Sequence, residues 1–158
     1  MNQAYLEKTI KGMEHVYDFI LEGYTDYTTP RDYGNGTPIN MAEIHTLTLI
    51  ADNPGISVSE IAKIWNRSLS AASQNIDKLH KKNLIEKRKE FGNNKTIHLY
   101  ATEEGTTLSN QHKQYDQEKL TQTAELLLQK YSIEQIDNFL QIIDTSLEVI
   151  RADRESKK

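Results

Sequence analysis

Apolar residues recur at spacings of three and four over residues 4–28, the pattern of one apolar stripe along a helix. The stripe consists of Leu6, Ile10, Met13, Tyr17, Ile20 and Tyr24. The next stretch, residues 25–38, contains two prolines and two glycines, which interrupt regular structure. The pattern therefore predicts a long first helix followed by a loop.

Two further helices are predicted from one repeated start signal. Asn40 and Ser57 are suitable N-cap residues, and each is followed three positions later by a glutamate, Glu43 or Glu60. Apolar residues bracket each cap in the manner of a hydrophobic staple, as the pairs Ile39/Ile44 and Ile56/Ile61. We therefore expect a second helix from Asn40 and a short third helix from Ser57.

The polar run at residues 66–68 ends the third helix, and Ser68 suits the N-cap of a fourth. The apolar side of this fourth helix is predicted to be Leu69, Ala72, Ile76 and Leu79. Its solvent side would carry hydroxyls, an amide and charged groups: Ser70, Ser73, Gln74, Asp77, Lys78 and Lys81. Asn83 suits a left-handed C-terminal cap.

The hydrophobic period then changes to two, which predicts strands over residues 84–90 and 95–101. Ile97 and Leu99 would point inward, and the four residues FGNN between the strands supply a hairpin turn. Thr102 can cap a fifth helix of about 28 residues that ends near Tyr131.

The sixth helix begins with another capping pair, Ser132 and Gln135. Its apolar residues follow at alternating spacings of three and four, which is a heptad seam: Ile133, Ile136, Leu140, Ile143, Leu147 and Ile150. Such a narrow seam is typical of a helix that packs against another helix, so we expect self-association.

Composition narrows the class of protein. The chain has 158 residues and no cysteine, which excludes disulfides, thiolate catalysis and zinc fingers. Its mean hydropathy of -0.68 leaves no stretch close to the roughly 18 apolar residues of a membrane span. The N-terminus lacks signal-peptide order, and no phosphate loop, His-Glu metal motif or serine elbow is present. We expect a cytoplasmic protein that is not an enzyme, needs no cofactor and has no membrane partner.

Charge is unevenly distributed along the chain. The net charge is -4, yet residues 63–98 contain nine Lys/Arg and three acidic residues, while the other 122 residues carry a net charge of -10. A basic segment inside an acidic chain is a candidate nucleic-acid footprint. Here it coincides with two short helices and a basic hairpin, a winged helix-turn-helix that would insert its second helix into a major groove.

The residue types of this segment suit double-stranded DNA. Ser70 and Ser73 are short enough to approach the groove, and Gln74 can pair bidentately with adenine. Candidate phosphate contacts are Lys78, Lys81, Lys82, Arg88 and Lys95. The alternative is an ordinary polar surface on a scaffold for protein interactions, which predicts weak contact with DNA that does not respond to salt.

The stretches NPGISVSEIAKIWNRSLSAASQNIDKLHKKNLIEKR and IHLYATEEG resemble the MarR-type winged-helix transcription regulators, and the resemblance covers nearly the whole chain. It implies a mainly α fold and a single domain over 1–158. Within it, 40–101 would form the DNA-binding lobe, and 4–28 plus 103–155 the dimerisation helices.

The implied function is a homodimeric regulator of transcription that binds a near-palindromic operator. Ser68 resembles the recognition-helix N-cap, and Ser70, Ser73, Gln74 and Lys78 resemble its groove-facing residues. The dimer interface would include Leu6, Ile10, Met13, Ile133, Ile136, Leu140, Ile143, Leu147 and Ile150.

The predicted wing departs from the family pattern. The family commonly has an aspartate and two arginines at the wing tip, where this chain has Asn93, Asn94 and Lys95. Lysine is more strongly hydrated than arginine and suits a narrow minor groove less well. The wing is therefore expected to contribute affinity more than specificity.

Regulators of this family respond to a ligand, an oxidant or a metal. Without cysteine, thiol oxidation is excluded. An aromatic, singly cationic pocket for a small organic effector is expected from Tyr24, Tyr27, Arg31, Tyr33, His45 and His112. The alternative is that the tyrosines only cover the junction of two lobes. The same histidines are candidate zinc ligands, with Glu22, Asp26, Glu43 or Asp116 as carboxylate partners, although no spacing is diagnostic. Trp65 is expected in the core.

Overall fold

The computed structural model describes residues 2–34, 36–90 and 93–156, with the side chains of all of these except Met13, Glu90, Asn93, Asn94, Lys95 and Arg154. The described residues form six helices and three strands. The helices are α1 (Gln3–Thr28), α2 (Met41–Asp52), α3 (Val58–Ile64), α4 (Leu69–Lys81), α5 (Glu103–Lys130) and α6 (Ile133–Ser156). The strands are β1 (Ile56–Ser57), β2 (Ile85–Glu90) and β3 (Asn93–Ala101).

The chain divides into two compact units, Met1–Gln114 and Tyr115–Lys158. The first unit contains α1, the helix-turn-helix, the sheet and the first turns of α5. The second contains the rest of α5 and α6. The boundary between the two units lies inside α5, because the beginning of α5 packs into the first unit through the fully buried Leu108.

The predicted helix starts are confirmed by their hydrogen bonds. The Asn40 side chain accepts from the Glu43 backbone N–H at 2.9 Å. Ser57 and Glu60 form a complete capping box, and the hydrogen bonds from Ser57 to the carboxylate lower the pKa of Glu60. The other caps are equally local: Ser68 accepts from Ala71, Thr102 from Gly105, and Ser132 exchanges bonds with Gln135.

The sheet has the order β1-β3-β2, and both pairings are antiparallel. Lys87 stands opposite Leu99 in the hairpin, and Ile56 of β1 pairs with Leu99 from the other side. Strand β1 was not predicted because two residues are too few to display a period. Of the predicted turn FGNN, Asn93 and Asn94 belong to β3, whereas Phe91 and Gly92 lie outside the described residues.

One apolar core holds the first unit together. Its fully buried members come from α2, α3, α4, the sheet and the start of α5, among them Ile44, Leu47, Ile61, Ile76 and Leu99. Two expected core positions were wrong: Leu69 is 58% exposed and Trp65 is 40% exposed. Both lie beside the turn between α3 and α4.

The start of α5 packs directly on the chain that enters β2. The Leu84 carbonyl oxygen accepts from the Thr102 N–H at 3.0 Å. A Cβ atom added at Gly105 would lie 2.0 Å from the same oxygen and 3.2 Å from Leu47 Cδ1. Only glycine permits this close approach of helix and backbone.

Long apolar stripes lie exposed on both units. On α1, Leu6 is 38% and Ile10 59% exposed. On α6, Leu140 is 53% and Ile150 51% exposed. None of the helices in the described part of the chain has the length and apolar character required to cross a membrane.

Candidate nucleic-acid interface

Helix α4 separates its buried and exposed sides as predicted. Ala72, Ile76 and Leu79 are buried in the core. Ser70, Gln74, Lys78 and Lys81 are exposed, and Ser73 is half-buried at the edge of the exposed face. Because the apolar side is fixed in the core, the polar side is held outward as a rigid surface 13 residues long.

A buried carboxylate on α2 contacts two lysines at the C-terminal end of α4. Glu43 is 5% exposed, and its Oε2 accepts a hydrogen bond from Lys82 Nζ at 2.7 Å. Lys82 also donates to the Pro38 carbonyl at 2.8 Å, and Lys78 Nζ lies 3.5 Å from Glu43 Oε1. The predicted phosphate contact Lys82 is thus committed to partners inside the protein, and its side chain is only 28% exposed.

The hairpin strand β2 has its own ion pairs. Lys87 pairs with Asp77 of α4 at 2.5 Å, and this ammonium lowers the pKa of Asp77. Arg88 pairs with Glu86 at 2.8 Å, and its guanidinium carbon lies 4.3 Å from the ring centroid of Tyr100. The Arg88–Glu86 pair is largely exposed, so DNA phosphate can compete for Arg88, whereas the side chain of Lys87 is only 26% exposed.

Four other cations of the basic segment make no ion pair with any part of the chain that the structure describes: Lys63, Arg67, Lys81 and Lys89. Only Lys81 was assigned to DNA contact from the sequence. Arg67 directly precedes the α4 N-cap Ser68, and that adjacency is the signal by which it could have been found. The side chain of Lys95 lies outside the described residues, so its assignment stays a prediction.

Aromatic rings meet on the first unit at the expected pocket residues. His45 and His112 have ring centroids 5.1 Å apart. Tyr27 contacts His45 edge-on at 5.9 Å, and Tyr33 contacts His112 edge-on at 5.0 Å. Trp65 stacks on His45 at 6.4 Å. The structure therefore brings four of the six predicted pocket residues together and adds Trp65, which sequence reasoning assigned to the core.

The remaining two pocket residues are placed differently. Arg31 pairs with Asp26 and forms a backbone bridge with Ile39. Tyr24 is 66% exposed on α1. The cavity beside Tyr27 and Trp65 has a volume of about 10 Å³, which is room for one water molecule.

The candidate interface for self-association consists of the two exposed stripes. On α1 it includes Leu6 and Ile10, and the side chain of Met13 lies outside the described residues. On α6, Ile136 and Ile143 are half-buried, and the other four seam positions are exposed: Ile133, Leu140, Leu147 and Ile150.

Known proteins resemble this chain in both sequence and fold. Residues 39–97 match the sequence model of the MarR family. The chain is 29% identical over 105 residues to the uncharacterized HTH-type transcriptional regulator YhjH of Bacillus subtilis strain 168. That alignment covers 66% of this chain and 59% of YhjH, so it spans less than two thirds of the relative.

Two solved structures show how far the fold extends. The crystal structure of Streptococcus pneumoniae FabT in complex with DNA superposes with a TM-score of 0.63 at 16% identity, covering 92% of this chain and 97% of FabT. Lactococcus lactis ZitR, described as a zinc-responsive MarR family member, superposes with a TM-score of 0.70 at 17% identity, covering 88% and 99% of the two chains.

The matched residues 39–97 coincide with the part of the fold that the sequence singled out, from α2 through α4 and most of the hairpin. The fold beyond them, with its long first, fifth and sixth helices, is shared with the two regulators. The chain is thus similar to the MarR family in sequence over residues 39–97, and it shares the fold of the two solved structures over most of its length.

Proposed function

We propose that this protein regulates transcription in the cytoplasm by binding a near-palindromic operator as a homodimer, with α4 in the major groove. One observation supports this function most directly: α4 is capped at Ser68, anchored by a buried apolar side, and presents an exposed face of hydroxyl, amide and ammonium groups. Such a face can approach base edges and phosphates together. The groups concerned are Ser70, Ser73, Gln74, Lys78 and Lys81.

The hairpin supports the same function as a wing. Lys89 and Arg88 lie exposed on β2. The Glu86 partner of Arg88 is itself 54% exposed, so exchange of this carboxylate for a phosphate costs little. The wing therefore supplies charge along the DNA backbone, while α4 supplies the base contacts.

Dimerisation supports the palindromic operator, because a two-fold dimer presents two recognition helices to two half-sites. The apolar stripes on α1 and α6 leave Leu6, Ile10, Leu140 and Ile150 between 38% and 59% exposed. Burial of these stripes between two copies provides the driving force for association.

The test is fluorescence anisotropy with two labelled 30-bp duplexes, one enriched from a random library by rounds of binding and one of random sequence. We expect tighter binding to the enriched duplex and a slope of log K against log salt steeper than about -4, because each neutralised phosphate contributes about -0.9. A slope near zero on both duplexes would instead support the protein-interaction scaffold.

We propose further that a small organic effector releases the DNA. The ring cluster of Tyr27, Tyr33, His45, Trp65 and His112 supports this, since aromatic walls suit a phenolic ring. The 10 Å³ cavity requires Tyr27 or Trp65 to move when the effector enters. Trp65 is the single tryptophan of the chain. A titration with 4-hydroxybenzoate should therefore change its fluorescence in step with DNA release.

Zinc is the second candidate effector, and the two histidines favour it. Ring nitrogens of His45 and His112 lie within 4.8 Å of each other, close enough to bind one ion. Of the carboxylates considered, Asp26 and Glu43 are engaged in ion pairs, while Asp116 follows His112 by one helical turn. If zinc is the signal, Zn²⁺ should change DNA affinity in the wild type but not in His112→Gln. An equal response in both proteins would exclude this pair as the sensor.

A further inference from the structure

Glu43 is the buried carboxylate of α2, and it lies beside two lysines at the C-terminal end of α4. A carboxylate that is 5% exposed must be compensated, and Glu43 is compensated by Lys82 at 2.7 Å with Lys78 at 3.5 Å. Neither lysine is a sequence neighbour of Glu43, so the pair joins two separate elements of the lobe. The third lysine in this region, Lys81, makes no ion pair with the residues that the structure describes.

This arrangement divides the three lysines into different roles. Lys81 is exposed and available to phosphate. Lys82 is 28% exposed and holds two acceptors, Glu43 and the Pro38 carbonyl, so transfer to a phosphate would leave the carboxylate buried without compensation. Lys78 is 56% exposed and shares the same carboxylate at longer range. The number of lysines at the end of α4 is therefore larger than the number that can contact DNA phosphates.

The link also fixes the orientation of α4. The Glu43–Lys82 contact fastens the C-terminal end of the helix to α2, while the buried Ile76 and Leu79 fasten its inner side. Base contacts depend on this orientation, whereas contacts between flexible lysines and phosphate depend on it much less. A loss of the link should therefore weaken specific binding selectively.

We propose that Glu43 is a specificity-determining residue of the DNA-binding lobe: it withholds Lys82 from sequence-independent phosphate binding and positions α4 for base readout. This inference rests on the proposed DNA-binding function and adds a positioning role for a residue that is itself buried.

The primary test is Glu43→Gln, which removes the charge and keeps the shape. On the random duplex we expect the salt slope to steepen by about 0.9 for each released lysine that finds a phosphate, and thus by up to about two per dimer when Lys82 is released in both copies. The ratio of affinities for the enriched and random duplexes should fall by roughly 2- to 30-fold. Glu104→Gln, an exposed residue of α5, is the matched control for the change in net charge and should leave both quantities unaltered.

A double-mutant cycle separates charge release from structural damage. In the wild-type background Lys82→Gln should leave the salt slope unchanged, whereas Lys81→Gln should reduce it by about 0.9 per subunit. In the Glu43→Gln background Lys82→Gln should return the steeper slope to the wild-type value. If Glu43→Gln does not fold, the slopes of Lys82→Gln and Lys81→Gln in the wild type still test the withholding of Lys82, and the ratio of affinities measured for Lys82→Gln tests the positioning of α4.

Two results would overturn the inference. One is a Glu43→Gln protein that weakens on both duplexes by the same factor with an unchanged slope, which would make Glu43 a stabilising residue only. The other is a Lys82→Gln slope reduced as much as that of Lys81→Gln. If the wild type itself shows no salt-dependent binding, the proposed DNA-binding function fails instead, and the two failures are thereby distinguished.

Discussion

Gly105 offers the sharpest test of the packing between the wing and α5. An alanine in place of a helical glycine ordinarily stabilises a helix by about 1 kcal/mol. At Gly105 the new Cβ would lie 2.0 Å from the Leu84 carbonyl oxygen, far inside the roughly 3.3 Å of a close carbon–oxygen contact. The helix and the chain before β2 would have to separate.

The expected change in the free energy of unfolding combines two destabilising contributions and one stabilising contribution. Overpacking of a core site costs about 1–3 kcal/mol. Displacement of the Leu84 carbonyl also weakens its hydrogen bond from Thr102, which is worth about 0.5–1.5 kcal/mol. After the helix-propensity gain is subtracted, we expect Gly105→Ala to lower the free energy of unfolding by about 0.5–3.5 kcal/mol, or Tm by roughly 1–14 °C.

The assay is thermal and urea unfolding at one fixed protein concentration, because association makes apparent stability depend on concentration. The matched control is Gly12→Ala on α1, where a Cβ would have nothing within 4 Å. The control should be as stable as the wild type or slightly more stable. A Gly105→Ala protein that is also as stable as the wild type would refute the close approach of α5 to Leu84.

Two further predictions concern association and pH. Ile143→Asp places a carboxylate in the α6 seam and should weaken the dimerisation affinity measured by sedimentation by at least about tenfold. A wild-type protein that sediments as a monomer would contradict the proposed dimer interface. Asp77→Asn tests the pair with Lys87. Because Lys87 lowers the Asp77 pKa below its ordinary 3.8, the pair stabilises the protein above that pH and loses its effect as the pH falls through the lowered pKa. The difference in unfolding midpoint between wild type and Asp77→Asn should therefore vanish in acid, and a difference that persists unchanged from pH 7 to pH 3 would contradict the pairing.

The helices and their starts could be predicted because their causes are local. Asn40, Ser57, Ser68 and Thr102 each cap a helix through a hydrogen bond to a residue three positions away, and a signal of that range is visible in a sequence. The exposed face of α4 followed from the same short-range periodicity. The candidate DNA-contacting residues could therefore be identified without knowledge of the tertiary fold.

The ion pairs could not be predicted, because they join residues far apart in the chain. Glu43 and Lys82 are separated by 39 positions, so the count of basic residues did not reveal which cations were already compensated. The core predictions for Trp65 and Leu69 were wrong for a related reason. An apolar residue at the end of a helix can fit the hydrophobic periodicity of that helix without reaching the core. The two-residue strand β1 exists only because β3 lies beside it.

The central claim is that α4 reads base sequence, and Gln74→Ala tests it most directly. At one fixed salt concentration, the affinities for the enriched and the random duplex are compared between Gln74→Ala and the wild type, with Lys81→Ala as the phosphate control. A bidentate base contact is worth about 1–3 kcal/mol, so the ratio of the two affinities should fall roughly 5- to 150-fold in Gln74→Ala. Lys81→Ala should lower both affinities by similar factors and preserve the ratio. An unchanged ratio in Gln74→Ala, with the ratio lost in Lys81→Ala, would contradict sequence readout by this face of α4.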